Sequence, residues 1–178
     1  GGCCLLQLAH TVNPSEMYEQ YWYQSSINQT MRDALADIAA SVKEKVNIQS
    51  GEIILDIGCN DGTLLRSYQI PNAKLVGFDP AKNIASMAIP GTTRIFNDYF
   101  HAKPFVQEFG QAKARVITTI AMFYDLDDPN TFVKDIKQLL APNGIWVIQM
   151  NFLPFMIQDN VFDNICHEHL DYYSMTSL

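Results

Sequence analysis

Two stretches of this 178-residue chain carry side chains able to do chemistry. The first is ILDIGCNDGTLL, residues 54–65, where Gly58 and Gly62 lie just past an apolar run. Glycine admits unusual backbone angles and close approach by a ligand, and the free amides of a following helix supply hydrogen-bond donors. Asp56 sits near the end of that run, and Asp79 ends the next one 23 residues later. A carboxylate at the second position can accept both hydroxyl protons of a ribose, so the two features together indicate an adenosine-type ligand. A dinucleotide loop, G-x-G-x-x-G, needs glycine at 60 and 63 to clear a pyrophosphate, and this chain has Asn60 and Thr63 there. The loop therefore favours S-adenosylmethionine, which carries no phosphate, over NAD.

The second stretch is FDNICHEHLDYYS, residues 162–174, with Cys166, His167, Glu168 and His169 in a row. Zinc proteases space two histidines four apart on a helix so that both face one ion. Here the histidines are two apart, which brings them to one side only on an extended segment, and no metal is assigned. General acid/base work is the expectation. A carbon beside a carbonyl, or a hydroxyl, must lose a proton before it can attack a methyl donor, and a histidine suits that task at neutral pH. His169 is the candidate base and Glu168 the group that orients it; the plain alternative is a packing histidine beside a surface carboxylate. Adjacent Cys3 and Cys4 with His10 cannot complete a four-ligand zinc site, and Cys59 and Cys166 lie in strand or loop, so reduced thiols are expected.

The elements that must position these groups read as an alternation. Met31, Leu35, Ile38, Ala39, Val42 and Val46 recur at helical spacing over 30–46. The run 52–57 reads as a buried parallel strand, followed by a helix from near Asp61 and a strand over 74–78 stopped by Asp79-Pro80. A helix over 83–88, a strand over 93–96, a helix over 103–109 and a strand over 114–120 follow. Asp128 as N-cap and Pro129 open another helix, with Phe132, Val133, Ile136, Leu139 and Leu140 on one face. Ala141-Pro142-Asn143-Gly144 ends it before a strand over 145–149. Five strands with helical crossovers predict an α/β, Rossmann-like, doubly wound and mostly parallel sheet in three α/β/α layers. The chain divides into an N-terminal segment, 1–29, rich in tyrosine, and a core, 30–178.

Length and a 48% apolar composition suit one domain with a sizeable core. A net charge of −7 without a Lys/Arg cluster argues against nucleic acid. No run is long enough to span a bilayer and the start lacks a signal peptide's charged flank, so a cytoplasmic protein away from membranes is expected.

The pattern D-x-G-x-N-x-G, followed by Gly77-Phe78-Asp79-Pro80, resembles the first two motifs of class I methyltransferases. The resemblance implies S-adenosylmethionine as cofactor, with S-adenosylhomocysteine as product. It places the Gly58–Gly62 loop, with Asp56 and Asn60, under the methionine moiety, Asp79 on the ribose, Asp98 on the adenine amine and Tyr99 beside the ring. The HEH segment, Cys4-Leu5-Leu6-Gln7-Leu8 and the stretch 21–28 resemble nucleotide-sugar C-methyltransferases, which methylate a carbon beside a keto group on an activated deoxysugar. That likeness makes Tyr23 a cofactor or substrate contact, His167, Glu168 and His169 the catalytic segment, and Cys4 the tail of a zinc module, zinc entering only if such a module precedes. The chain departs from those enzymes at Cys166, where they carry tyrosine, and at Asp125, where they carry histidine. A full fold of this class adds two strands after the fifth, so a fragment lacking its last strands is expected, and an uncovered sheet edge favours a homo-oligomer. The partner is a small-molecule substrate. An NAD-dependent sugar-modifying oxidoreductase and a catalytically silent cofactor-binding module stay open as alternatives.

Overall fold

The computed structural model describes residues 4–178, so Cys3 lies outside the described residues. Its centre is β2 (Ile53–Ile57), where every residue is buried, because helices cover both faces of the sheet and leave a continuous apolar run. It is joined by β3 (Lys74–Phe78), β4 (Arg94–Phe96), β5 (Ala114–Ile120) and β6 (Leu140–Gln149) in the order β4-β3-β2-β5-β6, all parallel. The chain steps outward from β2 to β4 on one side and then crosses to β5 on the other. That reversal opens a crevice at the carboxyl ends of β2 and β5, where doubly wound sheets bind ligands.

Ile53, Leu55 and Ile57 pack with Phe105 of α5 (Ala102–Phe109) and Phe132, Ile136 and Leu139 of α6 (Pro129–Leu139). Ile54 packs on the opposite face with Leu35, Ala39 and Val42 of α2 (Gln29–Lys45), Leu64 and Leu65 of α3 (Thr63–Ser67), and Ala88 of α4 (Lys82–Ala88). The three layers are those the sequence predicts. α2 starts where the Asn28 side chain accepts the Thr30 amide, and α6 where Asp128 accepts the Thr131 amide with Pro129 in the first turn.

Four features differ from the sequence expectations. Val133 is 40% exposed, since Phe132, Ile136 and Leu139 already form the buried stripe at i, i+4 and i+7 and residue 133 lies about 100° round the helix. β6 begins at Leu140, which pairs with Ala114, and 141–144 bulge out before Ile145 pairs with Val116. A short helix, α1 (Pro14–Tyr18), interrupts the tyrosine-rich opening, capped by Asn13. A separate two-stranded antiparallel sheet joins β1 (Leu6–Gln7) to β7 (Asp171–Tyr172), beyond a last helix, α7 (Leu153–Gln158).

The 1–29 segment buries no side chain of α1 and is held instead by bonds to the core: Gln7 Nε2 to Asp171, the Leu8 amide to the Leu170 carbonyl, and a reciprocal pair between Asn83 and the Tyr21 backbone. No helix among the described residues is long and apolar enough to cross a membrane.

Candidate active site

The crevice is the mouth of a cavity of about 630 Å³, within the range that holds a small ligand or cofactor. Its wall combines the ends of β2, β3 and β5, the loop after β4, the lead-in 14–25, and the turn carrying Glu168 and His169. Of the sequence-predicted residues, Asp56, Gly58, Asn60, Asp79, Asp98, Tyr99, Tyr23, Glu168 and His169 line it. Gly62 and His167 do not.

Gly58 has φ +72 and Asn60 φ +49, so the loop after β2 turns through the left-handed region, which asparagine tolerates better than most side chains. A Cβ on Gly58 would lie 3.3 Å from Met122 Cγ, the side chain that closes the loop from the β5 side. Asn60 does more than leave out a second glycine. Its Oδ1 accepts the Ser25 amide at 2.9 Å and its Nδ2 donates to the Tyr23 carbonyl at 3.0 Å, which fastens the lead-in over the cavity. Asp61 repeats the device, accepting the Ser26 amide at 2.9 Å and the Thr63 hydroxyl at 2.6 Å. Burial pushes the Asp61 carboxyl up, but those donors outweigh it and hold it below its usual value.

Gly62 has a packing role. It stands at φ +78 as the N-cap of α3, and a Cβ there would meet Ala88 Cα of α4 at 3.1 Å and the Arg66 guanidinium at 2.9 Å. Gly62→Ala is expected to destabilise the fold by about 1–3 kcal/mol, from left-handed strain plus the displaced helix contact. Thermal unfolding checks it, at roughly 2–4 °C of Tm per kcal/mol for a chain of this size.

Asp79 is buried at the end of β3, and each of its oxygens accepts one backbone amide: Asn60 at 2.7 Å on Oδ2 and Ala81 at 2.9 Å on Oδ1. A carboxylate has about four acceptor positions, so one per oxygen stays free for a diol while the amides fix its plane. Asp98 is exposed and accepts its neighbour's amide, Tyr99, at 2.8 Å, and Tyr99 is 38% exposed at the rim. Tyr23 is 43% exposed on the covering segment.

The wall carries eight carboxyls, Asp56, Asp79, Asp98, Asp125, Asp127, Asp128, Asp135 and Glu168, and no Lys or Arg among the described residues. Such a field attracts a cation and repels a phosphate. Burial pushes the Asp56 carboxyl up to about 7; the Thr118 hydroxyl 2.5 Å away opposes the rise and the charge of Asp79 adds to it. Burial likewise raises Asp79, and raises Asp125 to about 8. These groups hold their protons more tightly folded than unfolded, so their contribution to stability is complete below the ordinary carboxyl value and is lost as pH climbs through about 7 and about 8. Denaturant unfolding of the chain without ligand is expected to show stability falling between about pH 5 and about pH 8, by on the order of a few kcal/mol.

The 166–169 segment is a turn, closed by the His169 amide on the Cys166 carbonyl, rather than an extended strand. The turn parts the two histidines: His167 is exposed and His169 faces the cavity. His169 is oriented by the Asn164 backbone carbonyl, 2.8 Å from Nδ1, and not through a hydrogen bond to Glu168. A carbonyl only accepts, so Nδ1 carries the hydrogen and Nε2 keeps its lone pair. The Tyr124 ring lies 4.3 Å from the imidazole, whereas Phe123 is buried among Phe132, Trp146 and Tyr173. Cys166, Glu168 and His169 each offer a ligand atom within 4.8 Å of one another, and Cys4, Cys59 and Cys166 are free thiols.

Sequence reasoning about the site missed Tyr18 and Tyr21, which line the cavity beside Asp125 and Glu168. It also missed Thr118, the partner of Asp56. A threonine facing β2 across the β5 register was the available signal for the last.

The chain is 26% identical to the C-methyltransferase NovU of Streptomyces niveus over 99% of its own length and 42% of that protein. It is 28% identical to the ubiquinone biosynthesis O-methyltransferase of Pasteurella multocida over 58% of its length and 48% of that protein. It thus spans less than half the length of these curated relatives. Its fold matches the plantazolicin methyltransferase BpumL, solved with a pentazolic desmethylPZN analog and SAH, with a TM-score of 0.59 at 18% identity over 85% of this chain and 56% of that one. A family model described as Methyltransferase domain matches residues 23–178, and with the doubly wound sheet and its crevice this makes the chain a member of the methyltransferase domain family.

Proposed function

We propose that this chain holds S-adenosylmethionine over the 58–62 loop and presents a small-molecule acceptor for methylation at a carbon beside a carbonyl. One observation carries the reading: the 58–62 loop and the Asp79 carboxylate share a cavity wall, without Lys or Arg among the described residues, with His169, whose Nδ1 is held by the Asn164 carbonyl. In this reading the acceptor positions left on Asp79 take a ribose, Asp98 and Tyr99 at the rim take the adenine end, and Gly58, Asn60 and Asp56, which line the same cavity, take the methionine end. The relatives' names and the SAH bound by BpumL support the same cofactor.

Bound S-adenosylmethionine supplies a methyl group on a sulfonium that leaves as a neutral thioether, so the protein's work is alignment and proton removal. The acidic wall favours the cation, and Asn60 and Asn83 tether the backbone of the lead-in that lines the cavity. His169 Nε2 takes the acceptor's proton, while Nδ1–H on the Asn164 carbonyl keeps the ring aimed and supports the imidazolium. The finer proposal is a nucleotide-linked keto-deoxysugar, supported by the likeness to a C-methyltransferase along 99% of the chain. With no Lys or Arg in the described wall, such an acceptor enters sugar first and keeps its diphosphate outside.

Family membership sets the oxidoreductase reading aside. Titration calorimetry tests the rest: S-adenosylhomocysteine is expected to bind and NAD to give no heat. Binding of NAD in preference would overturn the proposal.

A further inference from the structure

We infer that Asp125 is the hydrogen-bond donor to the acceptor's carbonyl oxygen, stabilising the charge that grows there as His169 removes the neighbouring proton; this rests on the reaction proposed above. Asp125 closes the 3-10 turn Phe123–Asp125 after β5 and lines the same cavity as His169. Its Oδ1 is buried and has no hydrogen-bond partner among the described residues, the nearby Tyr18 hydroxyl donating at 3.4 Å to the Glu168 carbonyl instead. Folded proteins satisfy nearly all such atoms, and of the three unpartnered ones among the described residues, on Tyr68, Arg115 and Asp125, only that of Asp125 belongs to a residue of the cavity wall.

The groups facing it determine which role it plays. Glu168 approaches from the 166–169 turn, Tyr18 from α1, Tyr21 from the lead-in, Tyr172 from β7, and Tyr124 from its own turn. None is a cation. Burial therefore keeps the proton on the Asp125 carboxyl, pushed up to about 8; the Tyr18 hydroxyl opposes this and the charge of Glu168 reinforces it. A protonated carboxyl donates, whereas an ionised one only accepts. When His169 Nε2 takes the proton from the carbon, the C–H electron pair forms the carbon–carbon double bond of an enolate. The carbonyl π pair moves onto oxygen, which accepts the hydrogen bond from Asp125 without taking its proton. As an oxygen pair restores the carbonyl, the double-bond pair forms the new bond to the methyl carbon, and the pair of the breaking carbon–sulfur bond goes to the leaving thioether.

Two substitutions separate a donor from a base. Asp125→Asn still donates and is expected to keep most of kcat with a nucleoside-diphosphate-linked 4-keto-6-deoxyhexose. Asp125→Ala removes the donor and is expected to lose kcat by roughly 10²-fold or more, with S-adenosylhomocysteine affinity unchanged. Equal losses in both variants would overturn the proposal, because an ionised base or acceptor fails in both. Carbon-13 NMR of labelled aspartate carboxyls reads the same group without any acceptor. The signal missing from the Asn variant should titrate above neutrality, and titration in the ordinary carboxylate range would sink the inference. If the wild-type chain fails to methylate the keto-sugar, the acceptor reading falls while the NMR titration still decides the protonation of Asp125.

Discussion

Replacing Asp79 by alanine is expected to weaken S-adenosylhomocysteine binding by at least roughly 10²-fold, since two charge-assisted hydrogen bonds to a ribose are worth about 1.5–3 kcal/mol each. The loss has a second source. Asp79 also receives the Asn60 and Ala81 amides, so its removal frees the loop that the nucleoside lies on. Asp79→Asn separates the two contributions: one carboxamide oxygen still accepts an amide, and the charge is gone. Calorimetry beside thermal unfolding should show the alanine variant losing both affinity and stability, and the asparagine variant losing mainly affinity. Undiminished affinity in either variant would remove the ribose from this carboxylate.

His169→Ala is expected to lower kcat by roughly 10²–10⁴ while leaving S-adenosylhomocysteine affinity untouched, the signature of a lost general base. The orienting partner of the imidazole is a backbone carbonyl that remains in place. His167→Ala serves as the control, because that side chain points away from the cavity wall and should turn over normally. Wild-type turnover by His169→Ala would leave a cofactor-binding module with no proton chemistry of its own.

Much of the fold was legible because it rests on local patterns. The apolar run ending in Asp56-Ile57-Gly58, the Asp79-Pro80 stop and the Asp128-Pro129 start each state a strand end or helix cap within a few residues. β1 and β7 gave no such signal: they are two residues each, too short for alternation, and they exist only through each other. That Asp56, Gly58, Asn60 and Asp79 line one cavity was legible for the same local reason, apart from Gly62, which does not line it and whose neighbour Ala88 lies on another helix. The surroundings of Asp125 and His169 were not. Asp125 acquires its character from burial, reinforced by the charge of Glu168 far away along the chain, and His169 is aimed by a main-chain carbonyl that no side-chain motif announces.

The pairing of Leu6–Gln7 with Asp171–Tyr172 has a kinetic consequence. Gln7 and Asp171 stand 164 positions apart, and closing so long a loop is slow and entropically costly, while the β2–β3 unit closes over some twenty residues. The loop after β2 is therefore expected to form well before the turn carrying His169 is anchored, so that the cavity wall is completed by its slowest contact.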